Sequence, residues 1–275
     1  MLSCVACATS HTQEGVRSAV ACPGVLDGAE LFAEVGLEGT FVLRAERDGC
    51  SSATDPALAD TPFRPQSTFK LVNTLIGLEE GLLTATSRWP WDGEPRKLAT
   101  WEQDLDLGGA LQVSCVPCFQ ELARAIGRER MAAALAAFDY GNQAMGDSVD
   151  AFWLDGGPLR LTPREQTEFV ERMFTGALGV RAEHVELLWS LLEIERDERG
   201  VWAGKTGLGA QDGRAIGWLV GYVERDGARW TYATFVRSRE GEDVEAEQAR
   251  LAPLRRELTR GLLVRAGLWA AGEGR

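Results

Sequence analysis

Histidine is nearly absent from this sequence, which contains two in 275 residues. His11 lies in a Ser/Thr/Gln-rich stretch, and His184 lies beside an apolar stripe of Val185, Leu188 and Leu192 that predicts a helix. Neither stands in a motif, and we interpret His184 as a helix-surface residue. A Ser-His-Asp triad or a histidine-based catalytic zinc site would need one of these two residues. Any nucleophile is therefore predicted to rely on a base of another residue type.

Long apolar runs and an excess of positive charge are also missing. No segment approaches the ~20 apolar residues that a membrane-spanning helix needs. The net charge is −12, which disfavours nucleic acid or an anionic membrane surface as a partner. A chain of this length and ordinary apolar content can bury a core without a disulfide scaffold. We expect a globular protein that is a monomer or a homodimer.

Cysteine occurs at six positions, of which Cys4, Cys7, Cys115 and Cys118 form two C-x-x-C pairs. The two pairs could in principle make a four-cysteine zinc site, but nothing near Cys4 indicates structure, and we predict no metal. Cys115 and Cys118 are one helical turn apart, so a local disulfide is conceivable, though helix geometry would strain it. We therefore predict two buried thiols, which either tune a site or only pack.

The N-terminus contains Ala6-Cys7-Ala8, a small-x-small pattern that is typical of a signal-peptidase site. The charged and apolar regions that normally precede such a site are missing. We interpret residues 1–27 as a flexible lead-in that carries the remnant of an export signal, and we predict a periplasmic or secreted protein.

The remaining chain, 28–275, is predicted to form a single domain of mixed α/β (α+β) class. A short helix at AELFAEV, a strand at 40–46 and a helix from STFK to near Gly81 precede a mostly helical lobe at about 82–198. Three β-branched and aromatic runs separated by GAQDGR and RDGA then predict strands, and a last helix runs from about Pro253. Strands at both ends favour one sheet with a helical lobe inserted against it, and a cleft between the two.

The hexapeptide PQSTFK opens a predicted helix with Ser67 and Lys70 three residues apart. Positions i and i+3 share a helix face, about 5–6 Å apart at Cβ. Serine becomes a useful nucleophile when a base lies within hydrogen-bond reach, and Lys70 is a candidate. The alternative is that Ser67 only begins the helix and that Lys70 is an ordinary solvated lysine. Taken alone, this short and common motif favours the alternative.

Four further stretches each have an ordinary structural interpretation when taken alone. Together, in one chain, they indicate a functional site much more specifically. Each alone could be a helix cap, a turn, a buried indole or the end of a strand. They are SCVPC with Ser114, YGN at 140–142, FWLDGG with Trp153, and KTG at 205–207.

In this order and at these separations, the motifs resemble the class D (oxacillinase-type) serine β-lactamases, within the penicillin-recognising enzymes. The resemblance covers roughly residues 29–265, and FWLDG and GWLVGYVE separate class D from its relatives. It implies an antiparallel sheet flanked by helices, an all-helical lobe, and hydrolysis of β-lactam antibiotics at a site between them.

The resemblance also implies roles for the catalytic residues. Ser67 would be acylated, and Lys70, N-carboxylated by CO2 or bicarbonate, would be the general base; no other cofactor is implied. Ser114, assisted by Lys205, would pass a proton to the ring nitrogen. Asp155 in the FWLDG loop is the alternative base, although an acid in a Gly-rich loop is more often solvated.

Further residues would bind substrate or hold the carbamate. Thr206 of the KTG motif would bind the substrate carboxylate, and Gly207 would also contact the substrate. Arg250 is matched by spacing as the second residue that binds the carboxylate. The amides of Ser67 and Leu208 could form an oxyanion hole.

A buried Lys70 would have a lowered pKa beside Phe69, Val116 and Trp153, since burial disfavours the ammonium. The indole N–H of Trp153 can only donate, which suits a carbamate.

Two alternatives share these motifs. A β-lactam sensor would hold the acyl adduct without hydrolysing it, and would normally be attached to a membrane-spanning segment. A peptidoglycan DD-peptidase shares S-x-x-K and KTG but lacks the FWLDG loop.

Overall fold

Six strands form one antiparallel sheet in the order β2-β1-β8-β7-β6-β5. The computed structural model describes residues 25–47 and 49–270; the pattern at Ala6–Ala8 and the Cys4/Cys7 pair lie outside this part of the chain. The strands are β1 (Glu38–Ala45), β2 (Ser51–Ala53), β5 (Glu193–Asp197), β6 (Gly200–Gln211), β7 (Arg214–Arg225) and β8 (Ala228–Arg237), with a separate pair of β3 (Arg88–Trp89) and β4 (Leu105–Asp106). The sheet is built from both ends of the chain, which confirms the predicted fold class.

Helices cover both faces of this sheet and form a lobe beside it. Two 3₁₀ helices lie at Gln66–Phe69 and Ala99–Trp101. The α-helices are α1 (Ala29–Glu34), α2 (Pro56–Ala59), α3 (Lys70–Glu79), α4 (Leu107–Gln112), α5 (Val116–Ile126), α6 (Arg128–Ala137), α7 (Pro163–Phe174), α8 (Ala182–Ser190) and α9 (Val244–Arg265). No helix in the described part is long and apolar enough to cross a bilayer.

Local sequence signals explain much of this architecture. Tight turns join β6 to β7 and β7 to β8, and in both turns an aspartate and the glycine after it have positive φ. This is the two-residue turn whose twist matches antiparallel strands. Helix α7 begins with a capping box in which Thr162 and Glu165 exchange hydrogen bonds, followed by Pro163 in the first turn.

Helices α7 and α9 pack on opposite faces of the sheet through buried hydroxyl contacts. Thr231 on β8 donates to the carbonyl of Thr167 on α7 at 3.0 Å. Thr234, also on β8, lies 2.6 Å from Thr259 on α9, oxygen to oxygen. One apolar cluster lies between the sheet and the helical lobe, and another lies under α9. Helix α3, which begins at Lys70, belongs to the first cluster.

Two element boundaries differ from the sequence predictions. Helix α9 begins at Val244, capped by the Asp243 side chain, and Pro253 lies inside it. The predicted start near Pro253 is wrong because a proline on the exposed side of a long helix can be accommodated. Residues Glu193–Asp197, assigned to the helical lobe, form the edge strand β5 beside β6.

Candidate active site

Ser67 and Lys70 are in direct contact at the start of α3. The 3₁₀ helix Gln66–Phe69 leads straight into α3, whose first residue is Lys70. Lys70 Nζ donates a hydrogen bond of 2.8 Å to Ser67 Oγ. Ser67 is 7% exposed and Lys70 is fully buried. The serine hydroxyl therefore has an amine within reach, shielded from bulk water.

Burial changes the protonation of Lys70. It lowers the pKa of the amine from 10.5 to about 7 because the ammonium loses its hydration. Its surroundings are aromatic, with the ring of Phe119 centred 5.3 Å from Nζ. Near neutral pH a large share of Lys70 is therefore an uncharged amine.

Trp153 brings an unused hydrogen-bond donor to this region. Its indole is fully buried and stacks on Phe69 with ring centroids 4.9 Å apart. Its backbone carbonyl accepts a hydrogen bond from the Gln66 N–H at 3.1 Å, which joins the FWLDG loop to the turn that carries Ser67. Among the described residues the indole Nε1 has no partner. A buried donor without an acceptor is costly and is suited to an anion bound nearby.

Ser114, which is partly buried, and Lys205, which is buried, form a second pair. Ser114 lies between α4 and α5 with φ of 52°, and its Oγ accepts a hydrogen bond from Lys205 Nζ. The same Nζ donates to the Thr206 carbonyl at 2.9 Å and lies 3.4 Å from Thr206 Oγ1. Burial, together with the positive charges of Lys70 and Arg255, holds the pKa of Lys205 well below its ordinary range.

The KTG strand β6 passes against the turn that carries Ser67, and Gly207 makes this approach possible. A Cβ at Gly207 would lie 2.9 Å from the Pro65 carbonyl and 3.2 Å from the Thr68 methyl. Any side chain there would push the strand away. The strand segment that carries Thr206 and Leu208 is therefore held beside Ser67.

The structure corrects the assignment of Arg250. Its guanidinium is bound to Glu247, with an ion pair of 2.5 Å, and donates to the Val35 carbonyl at 2.7 Å. Arg255 instead donates to the Gly207 carbonyl at 2.6 Å. Burial lowers the pKa of Arg255 to about 10, still far above neutrality. Arg255 is therefore the cation beside the KTG motif.

Asp155, the alternative base, is occupied by structural contacts. Its Oδ1 accepts from Gln66 Nε2 at 2.8 Å and from the Ala210 N–H at 2.7 Å. These bonds connect the FWLDG loop to the turn that carries Ser67 and to β6.

Two further residues of the predicted motifs lie near this region. Val116 is the first residue of α5 and is partly buried. Tyr140 of the YGN stretch packs edge-on against Phe69, with ring centroids 5.8 Å apart.

The structure contradicts the predicted pair of free thiols, because a disulfide links Cys115 to Cys118. Their Cα atoms are 5.5 Å apart, inside the normal range for a disulfide. Helix geometry would strain this disulfide only if both residues were helical. Cys115 is instead the cap of α5, with ψ of 103°, so the bond does not span an α-helical turn.

His184, the one histidine in the described part of the chain, takes no part in this site. His184 Nδ1 lies 2.6 Å from Glu79 Oε1 and joins α8 to the end of α3. Within the described residues no group of three or more His, Cys, Asp or Glu could hold a metal ion. Sequence reasoning missed Asn73, one turn after Lys70, whose buried side-chain amide has no partner in the described part of the chain.

Comparisons with known proteins identify relatives over most of the chain. Residues 53–256 match the penicillin binding protein transpeptidase domain family. The chain is 37% identical over 199 residues to β-lactamase OXA-10 of Pseudomonas aeruginosa, across 71% of this chain and 74% of the relative. It is 36% identical over 203 residues to β-lactamase OXA-48 of Klebsiella pneumoniae, across 74% and 76%. A crystal structure of the class D β-lactamase YbXI from Nostoc matches with a TM-score of 0.78 and 34% identity, covering 86% of this chain and 97% of that one.

Proposed function

This chain belongs to the class D serine β-lactamases, hydrolases that open β-lactam antibiotics, and we propose that it does so through an acyl-enzyme on Ser67 with carboxylated Lys70 as the general base. One observation carries the proposal: a fully buried lysine lies 2.8 Å from the serine hydroxyl. Among residues 25–47 and 49–270, the single histidine, His184, contacts Glu79 instead of this pair, and Asp155 is bound to Gln66 and Ala210. Lys70 is therefore the residue best placed to take the serine proton.

The surroundings of Lys70 fit an N-carboxyl group. Its lowered pKa provides the neutral amine that reaction with CO2 requires. The unpartnered indole N–H of Trp153 offers a donor, and Phe69 fixes the indole by stacking. Carboxylated Lys70 would supply an anionic general base in place of a plain amine. CO2, supplied by bicarbonate, is the only small molecule besides substrate and water that this mechanism needs.

The second pair fits proton transfer to the leaving group. As Ser67 attacks the lactam carbonyl, the C–N bond of the ring breaks and the ring nitrogen needs a proton. Ser114 can donate its hydroxyl proton, and Lys205, hydrogen-bonded to it, can replace that proton. A general acid of this kind contributes about 10²–10⁴-fold.

Substrate binding is assigned to the KTG strand and Arg255. The amides of Ser67 and Leu208 are proposed as the oxyanion hole, because the strand passes directly against the nucleophile turn. Thr206 and Arg255 would bind the substrate carboxylate. Positive charge here also counters the repulsion that an anionic substrate meets on a protein of net charge −12.

We further propose that the protein works outside the cytoplasm, in the periplasm or as a secreted enzyme. Cys115 and Cys118 form a disulfide, and Cys50 is also disulfide-bonded. Such bonds persist mainly in oxidising compartments. A monomer or homodimer stays a prediction, and size measurement in solution would decide it.

A labelling experiment tests the role of Lys70. Enzyme equilibrated with ¹³C-bicarbonate should show one carbamate resonance, and that resonance should disappear in Lys70→Met, which keeps the side-chain volume without the amine. Hydrolysis of a chromogenic cephalosporin should rise when bicarbonate is added to degassed enzyme. A wild-type enzyme that hydrolyses at full rate without any such resonance would refute the carboxylation.

A further inference from the structure

The Cys115–Cys118 disulfide lies immediately after Ser114. Cys115 caps α5, and its Sγ accepts a hydrogen bond from the Cys118 N–H at 3.2 Å. The Cys115 N–H donates to the Ala110 carbonyl at the end of α4, at 2.9 Å. The covalent bond thus closes the first turn of α5 onto the residue that follows Ser114.

Ser114 itself has a backbone conformation that its surroundings must enforce. Its φ of 52° lies in the left-handed region, which residues other than glycine rarely adopt. The residue before it is held by the Trp101 indole, which donates to the Val113 carbonyl at 3.0 Å. The residue after it is held by the disulfide. Ser114 is therefore fixed from both sides.

We propose that the Cys115–Cys118 disulfide is a positioning element that holds Ser114 against Lys205, so that the enzyme needs this bond for fast acylation. The proposal rests on the proton-transfer role proposed above for Ser114. Such a disulfide differs from one that only stabilises the fold, because it sets the position of Ser114. Small displacements matter here, because a misplacement of about 1 Å can cost on the order of 10²-fold in rate.

Both cysteines are buried, but the disulfide borders a cavity. Both line a cavity of about 310 Å³ together with Trp89, Trp101 and Pro117. Dithiothreitol could enter it and break the S–S bond. Two electrons and two protons would convert the disulfide to two thiols while the reagent closes to its own cyclic disulfide.

The test compares acylation with deacylation. Cys118→Ser removes the disulfide but leaves Cys115 in place as the cap of α5. Pre-steady-state measurement with a penicillin should show acylation slowed by about 10-fold or more, with a much smaller change in deacylation. A purely structural role would lower the melting temperature without separating the two steps. Cys50→Ser is the matched control, since it removes another disulfide-bonded cysteine and should leave acylation unchanged.

Two further arms keep the outcome decisive. If Cys118→Ser does not fold, wild-type enzyme is reduced with dithiothreitol in the folded state, the freed thiols are counted by mass spectrometry, and acylation is measured. Ser114→Ala, run in parallel, tests the underlying role. Slow acylation in Ser114→Ala with normal acylation in Cys118→Ser or in the reduced enzyme would overturn the positioning proposal alone. Normal acylation in Ser114→Ala would refute the role of Ser114 and the positioning proposal with it.

Discussion

Lys70 Nζ and Ser67 Oγ are 2.8 Å apart in a region where Lys70 is fully buried and Ser67 is 7% exposed. The contact follows from their spacing of three residues at the start of α3. It places a candidate base beside the candidate nucleophile.

Replacing Ser67 with alanine should abolish covalent labelling by a fluorescent penicillin. The Ser67 hydroxyl is in contact with Lys70, whose pKa is lowered by burial to about 7. The measurement is intact-mass spectrometry after incubation with penicillin, with melting temperature as the control for folding. An acyl adduct on Ser67→Ala protein would show that the nucleophile is another residue.

Trp153→Phe should lower activity, and added bicarbonate should restore part of it. Phenylalanine can keep the stacking on Phe69 but removes the N–H donor, so this variant tests the hydrogen bond with little change in packing. Hydrolysis rates are compared across a bicarbonate titration. Full activity of the variant in bicarbonate-free buffer would contradict the assigned role of the indole.

Arg255→Ala should reduce kcat/KM by roughly 10–100-fold, because a hydrogen bond to a charged group is worth about 1.5–3 kcal/mol. Arg250→Ala is the matched control and should change kcat/KM by less than about twofold, since that guanidinium is bound to Glu247 and Val35. Steady-state kinetics on one penicillin suffice. A large effect at position 250 with none at 255 would restore our original assignment.

Activity should fall as the pH drops through about 7. Burial lowers the pKa of Lys70 to about 7, so the neutral amine predominates above that value and the ammonium below it. An ammonium can neither react with CO2 nor accept a proton. The acid limb of a kcat–pH profile measures this directly, and bicarbonate should move it to lower pH. A kcat that stays constant well below pH 7 would argue against Lys70.

Asp155→Ala should destabilise the fold without trapping the acyl-enzyme. The carboxylate joins Gln66 to Ala210, and each lost hydrogen bond costs about 1 kcal/mol. Chemical denaturation measures the first effect, and the lifetime of the penicillin adduct measures the second. A stable variant with a long-lived adduct would identify Asp155 as the deacylating base.

The sequence predicted those parts of the fold and site that depend on short-range rules. The Asp-Gly turns set the β6–β7–β8 meander, and S-x-x-K spacing on a helix brings Ser67 to Lys70. The resemblance to the class D family nominated Ser114 and Lys205, which lie on separate elements and meet in the structure.

The remaining features depend on the relative orientation of elements. Arg250 and Arg255 are both on α9, and only the rotation of that helix against β6 decides which one reaches Gly207. The disulfide was missed because it depends on the non-helical backbone of Cys115. Spacing gives neither a helix rotation nor the start of a helix to within one residue.

The most direct test of the account is the fate of the penicillin adduct on Lys70→Met. A single dose of penicillin is followed over hours by intact-mass spectrometry, beside wild type. We expect the variant to acylate slowly and then stay acylated, because losing a general base typically costs about 10²–10⁴-fold. A Lys70→Met adduct that clears as fast as the wild-type adduct would contradict the assignment and place the base elsewhere.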